Sequence, residues 1–157
     1  MTSAIENKLA DHGVVLPDVG HAPKAAGNYL PFVVVGDMLY VSGQISQNAD
    51  GLITGVLGAD MSIEDGASAA KACAVALLTQ LKVAVDGDLD RLVRVVKLTG
   101  FVNSTADFKD QPKVINGASD LFVSVFGDAG QHARAAVSAA SLPLGVAVEI
   151  EAIFQIK

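Results

Sequence analysis

The segment Gln131–Lys157, QHARAAVSAASLPLGVAVEIEAIFQIK, constrains the chain more than any other. It reads as two β-strands joined by a tight turn. The first, about Ala133–Ala140, is small and apolar yet carries Arg134. The second, about Val146–Ile156, is apolar and β-branched yet carries Glu149 and Glu151. Between them, Leu142-Pro143-Leu144-Gly145 supplies the Pro and Gly of a turn. A charge inside a strand otherwise ready for burial is costly unless it is paired or used. Arg134, Glu149 and Glu151 therefore need partners or tasks.

The chain's 157 residues suffice for one domain, 1–157, with a real core. No linker, repeat or low-complexity tract divides it. Hydrophobic residues make up 51% of the chain without any Trp, and the mean hydropathy is high for a monomer. No apolar run reaches the ~18–20 residues of a membrane span. The expected outlet for the excess is a subunit interface, since an obligate interface resembles a core cut in half. A net charge of −6, with no basic run, argues against nucleic acid as a partner. Neither nucleic acid nor membrane is expected. Cys73 is the only cysteine, so no intramolecular disulfide forms. The start, MTSAIENKLADHG, lacks the pattern of a signal peptide, and the cytoplasm is the expected compartment. His12, His21 and His132 are scattered without metal-ligand spacing, so no metal is expected.

Residues 1–21 form an expected extension of helix and connector. Thr2–His12 reads as a short helix, with Ser3 and Glu6 as a capping box. Leu30–Val35 and Met38–Gln44 read as a hairpin across Gly36-Asp37. Ile45–Asp60 is loop-like. A long helix spans about Ile63–Val85, with a stripe that includes Cys73, Leu77 and Leu81. A strand over Leu92–Val102, a helix over about Pro112–Phe126 and the C-terminal strands complete the order α-ββ-α-β-α-ββ. Two main helices on one face of a mixed sheet make an α+β two-layer sandwich. The last strand is apolar on both faces, which again points to subunits packing sheet against sheet.

Three pieces of the sequence resemble the RidA/YjgF family, also called the L-PSP endoribonuclease family. They are Ala22-Pro23 through Tyr29 with Leu39-Tyr40-Val41-Ser42-Gly43-Gln44-Ile45, the long Ala-rich helix, and Ala133-Arg134 … Leu142-Pro143 … Val148-Glu149-Ile150-Glu151-Ala152. The N-terminal helix and the stretched Ile45–Asp60 loop suit a longer branch of that family. The resemblance implies a chorismate-mutase-like fold and a homotrimer whose sheets form an inner barrel, with a ligand cleft at each subunit interface. It implies cofactor-independent hydrolysis of reactive 2-imino acids and their enamines to 2-keto acids and ammonia. By the same resemblance, Arg134 matches the substrate-carboxylate arginine and Glu149 the acid that handles the hydrolytic water. Tyr29, Ser42, Gly43 and Asn116 match substrate-binding positions lining the cleft. Ala136 stands where many members carry a Cys, a departure that bears on thiol-dependent properties and not on imine hydrolysis.

The residue types suit that chemistry. A guanidinium grips a planar carboxylate bidentately, and a carboxylate within reach orients a water and takes its proton. Positioning alone accelerates a reaction as facile as imine hydrolysis. The bland reading of Arg134 and Glu149 is an ion pair between neighbouring strands, and Glu151 reads as structural. Two other functions compete with deamination: a non-catalytic binding or regulatory module for a 2-keto acid or similar small carboxylate, and the ribonuclease of the family's older name, which the charge disfavours.

Overall fold

A computed structural model describes residues 3–157. Helix α1 (Ala4–Asp11) opens on a complete capping box: the Ser3 hydroxyl accepts from the Glu6 N–H, and the Glu6 carboxylate accepts from the Ser3 N–H. Thr2, the first residue of the expected helix, lies outside the described residues. Leu9, Val14 and Leu16 carry the extension into the core. Lys82 on the long helix binds Glu6 at 2.7 Å.

Strands β1 (Phe32–Val35) and β2 (Met38–Ile45) form the expected antiparallel hairpin. The Ile45–Asp60 stretch is more ordered than expected. It holds a small ladder of β3 (Gln47–Asn48) with β4 (Gly51–Leu52). Single bridges then tie Thr54 to Val146 and Leu57 to Ser104. Such bridges join residues distant in sequence, so a composition rich in Gly and Asn reads locally as loop.

Helix α2 (Ile63–Ala84) is capped by Ser62 and buries Cys73, Leu77 and Leu81 as its stripe predicts. By length and composition alone it would suffice to cross a membrane, against the expectation that no segment would. Its apolar stripe instead lies in the core, alongside residues of β2, β5 and β7. Strand β5 (Leu92–Asn103) and helix α3 (Gln111–Phe126), with Pro at its first turn, follow. Strands β6 (Ala133–Ala139) and β7 (Val148–Ile156) close the chain.

The main sheet has the order β1-β2-β7-β5-β6, and only β5 and β6 run parallel. The fold is therefore α+β with a mixed sheet. One expectation fails here. β6 and β7 are not a hairpin, because β5 lies between them. The cause is burial. Strand β7 alternates buried residues with less buried ones along its whole length and takes the central place. Strand β6 is Ala-rich, has no fully buried position and takes the edge. The segment 140–147 steps across the end of β5, where the Asn103 N–H donates to the Ala147 carbonyl at 2.8 Å.

Side chains alternate between two faces of this sheet. Leu98, Ile150, Ala152 and Phe154 point into the core beneath the helices. The opposite face carries Val33, Val35, Tyr40 and Val137, all large apolar side chains left exposed.

Candidate functional site

The register separates the two residues expected to share a site. Arg134 pairs with Leu98, which pairs with Ala152, both buried in the core. Its side chain therefore leaves the helix-facing side of the edge strand. Glu149 pairs with Phe101, which pairs with Val137, and this row lies on the open face. Arg134 and Glu149 thus leave opposite faces of the sheet, from strands that are not neighbours. They form no ion pair within the chain.

Glu149 lies in a cleft of about 330 Å³ between the β2 bulge and the Pro23–Pro31 connector. Tyr29, Gly43, Gln44 and Leu144 are among its other lining residues. Gly43 is required there by close approach: a β-carbon at this position would overlap the Glu149 carboxylate oxygen Oε1. Burial raises the pKa of Glu149 above the ordinary glutamate value, and the like charge of Glu151, two residues on along the same face, raises it further. The group is thereby biased toward holding a proton more tightly than a solvated carboxylate.

Ser42 has a different place from the one expected. It is not among the residues lining the cleft. Its hydroxyl donates to the Leu30 carbonyl at 2.7 Å and its N–H to the Pro31 carbonyl at 2.9 Å. These bonds fasten the connector that brings Tyr29 to the cleft. Tyr29 itself is exposed.

The second cluster surrounds Arg134. Its Nη1 donates to the Ser119 hydroxyl at 3.0 Å, and its Nη2 lies 3.4 Å from the Pro112 carbonyl. Asn116 is exposed on α3, four residues after Pro112 and three before Ser119, so it shares the face that meets Arg134. Ser119 also bonds His132 Nε2 at 2.9 Å, and His132 Nδ1 lies 2.6 Å from the Gly130 carbonyl. The six expected site residues thus fall into two groups, with Tyr29, Gly43 and Glu149 in the cleft, Arg134 and Asn116 at the β6 edge, and Ser42 as a fastening behind the first.

A family described as "YjgF/chorismate mutase-like, putative endoribonuclease" matches residues 6–154. The chain belongs to the RidA/YjgF family. Among its relatives, Protein TCP17 of Trypanosoma cruzi is 48% identical over 146 residues, covering 92% of this chain and 89% of that protein. The 2-iminobutanoate/2-iminopropanoate deaminase of Escherichia coli strain K12 is 35% identical over 133 residues, covering 85% and 91%. The crystal structure of Atu1372, a protein of unknown function from Agrobacterium tumefaciens, matches with a TM-score of 0.90 at 46% identity, covering 98% and 93%.

Within this RidA/YjgF chain, nothing in the sequence marks Ser119, and His132, two residues before Arg134, reads more readily as a surface histidine than as one turned toward the cleft. Ser119 is one of several polar positions on α3, and nothing local pairs it with an arginine on the next strand. Lys24, Gln47 and Leu144 at the Glu149 cleft were also missed. Leu144 did carry a signal, since it sits inside a Pro-Leu-Gly turn and adopts φ 59°, a left-handed conformation rare for leucine. Cys73 is buried and its thiol lies 3.4 Å from the Val148 carbonyl. Burial pushes that thiol far above its ordinary range, so it is no nucleophile at neutral pH. Among the described residues, no three His, Cys, Asp or Glu side chains are grouped to hold a metal ion.

Proposed function

We propose that the protein hydrolyses 2-imino acids and their enamine tautomers to 2-keto acids and ammonium, at a site that two copies of the chain complete together. The observation that carries this reading is Glu149: a carboxylate with a raised pKa, leaning over a glycine in a cleft of small-molecule size. Relatives that are about a third identical are named 2-iminobutanoate/2-iminopropanoate deaminases, which supports the reaction class.

Arg134 supplies the carboxylate anchor. A guanidinium has five N–H donors, and two of them are engaged among the described residues. The remaining donors suit a bidentate grip on a substrate carboxylate. Once the substrate is held, Glu149 accepts a proton from water as its oxygen bonds to the imine carbon. The carbon–nitrogen π pair moves to nitrogen, which takes that proton from Glu149. Collapse of the resulting carbinolamine, with proton return through Glu149, expels ammonia and leaves the keto acid. The balance is one imine and one water in, one keto acid and one ammonia out.

The opposite facing of Arg134 and Glu149 supports the shared site. So does the exposed apolar face with Val33, Val35, Tyr40 and Val137, which an oligomer would cover. A homotrimer with its sheets turned inward meets both requirements. The net charge of −6 does not suit RNA as substrate.

The test is direct. An amino-acid oxidase generates 2-iminobutanoate, and its disappearance is followed with wild type, Arg134→Ala and Glu149→Gln. Turnover by wild type that falls sharply in both variants is expected. Equal rates in all three overturn the reading, and tight binding of 2-oxobutanoate without turnover leaves a binding module instead.

A further inference from the structure

Arg134 is oriented by neutral groups only. Among the described residues its partners are a hydroxyl and a carbonyl, and no carboxylate pairs with it. We propose that His132 and Ser119 form a relay that positions the Arg134 guanidinium for its carboxylate ligand without neutralising it. The proposal rests on the reading of Arg134 as the carboxylate anchor and extends it to two residues with no assigned role.

The directions of the bonds are fixed from one end. The Gly130 carbonyl only accepts, so His132 Nδ1 at 2.6 Å must carry a hydrogen. In the neutral ring Nε2 then holds a lone pair, and the Ser119 hydroxyl at 2.9 Å donates to it. That leaves the Ser119 oxygen lone pairs facing Arg134 Nη1 at 3.0 Å. Every donor in the row finds an acceptor. Partial burial lowers the imidazole pKa, with the positive charge of Arg134 acting the same way and the Gly130 hydrogen bond opposing it, so the ring is biased toward its neutral form.

The relay is anchored at its far end. The His132 ring meets Phe122 edge-on, with centroids 6.2 Å apart. Gly130 is buried, and a β-carbon there would overlap the Phe122 carbonyl. The Gly130 backbone, whose carbonyl faces His132 Nδ1, is thus packed tightly against α3. A long arginine loses much rotamer freedom when it grips a ligand, and a relay that fixes it beforehand removes part of that cost. An acid in place of Ser119 would hold the guanidinium more strongly, but it would compete with the ligand carboxylate for the same charge.

Three variants, Ser119→Ala, His132→Ala and the double variant, test the relay. Two quantities are measured for each: KM and kcat with 2-iminobutanoate, and Kd for 2-oxobutanoate by calorimetry. Each single variant should raise KM and Kd by about tenfold, the scale of one lost hydrogen bond to a charged group, with kcat changed less than about twofold. The double variant should lose no more than the worse single variant, because the two residues act as one unit. His132→Gln, whose side-chain oxygen can accept from Ser119, should recover most of the loss. Ser119→Ala places a good helix former in α3 and keeps the test available if His132→Ala fails to fold. Wild-type KM and Kd in the folded single variants, or losses that multiply in the double variant, overturn the relay while leaving the deaminase reading intact. A wild type that neither turns over the imine nor binds the keto acid overturns both.

Discussion

Arg134 and Glu149 leave opposite faces of one sheet, with β5 between their strands. No side-chain rotation within one chain brings a guanidinium on the helix side to a carboxylate on the open side. If both act on one substrate, they come from different copies. Mixing then becomes informative. Arg134→Ala and Glu149→Gln should each be inactive alone. Refolded or co-expressed together, they should regain activity at roughly a quarter of the sites under random cyclic assembly, where intact Arg134 meets intact Glu149. The measurement is the specific activity of the purified mixed oligomer. No recovery in a demonstrated mixture would mean that both groups come from one chain.

Gly43 offers a second test, because its space is taken by Glu149 itself. A β-carbon there would overlap Oε1 and lie 3.1 Å from the carboxyl carbon. The displaced group is the free end of a side chain, so the fold should survive. Gly43→Ala should melt within a few degrees of wild type yet lose about 10–100-fold in kcat, the scale of a displacement near 1 Å. Unchanged kcat in a folded variant would remove Glu149 from the chemistry.

The raised pKa of Glu149 sets the sign of two pH effects. As a base it works only when ionised, so activity should fall as pH drops through a value above the ordinary glutamate range. Glu151→Gln removes the like charge and should move this acid limb to lower pH. For stability, a raised folded-state pKa means that the native state binds the proton more tightly than the unfolded chain. That contribution is present below the unfolded value, about 4.3, and is lost as pH rises through the folded value. Glu149→Gln should therefore melt at a higher temperature than wild type near pH 7, with the gap closing toward pH 4. A gap that widens on acidification would reverse the assigned shift.

Much of the fold was legible because its signals are local. The Ser3–Glu6 box, the Ser62 cap, the α2 stripe and the alternation of β7 each need only neighbouring residues. The strand order was not legible. Turn chemistry at Leu142–Gly145 marks a change of direction, but whether β6 then lies beside β7 depends on which strand earns the buried centre. The same gap hid the geometry of the site. Arg134 and Glu149 were readable as residue types, whereas their facing depends on registers through β5. Ser119 and His132 acquire meaning only once α3 lies against β6, fifteen residues of sequence separation being spanned by one hydrogen bond between Ser119 and Arg134.

The contact between α2 and α3 carries the last prediction. At Gly117 on α3, a β-carbon would overlap the Ala67 carbonyl oxygen on α2 and lie 2.7 Å from its carbon. The obstacle is backbone, so no rotamer change relieves it, and the helices must move apart. Helix propensity pulls the other way, since Ala is favoured over Gly by about 1 kcal/mol in a helix interior. Overpacking usually costs about 1–3 kcal/mol, and against a backbone atom the upper part of that range should apply. Gly117→Ala is therefore expected to lower the urea midpoint. Gly20→Ala, with nothing within 4 Å of the new carbon, should leave it unchanged. A Gly117→Ala protein as stable as wild type would show that the two helices have room to separate at little cost.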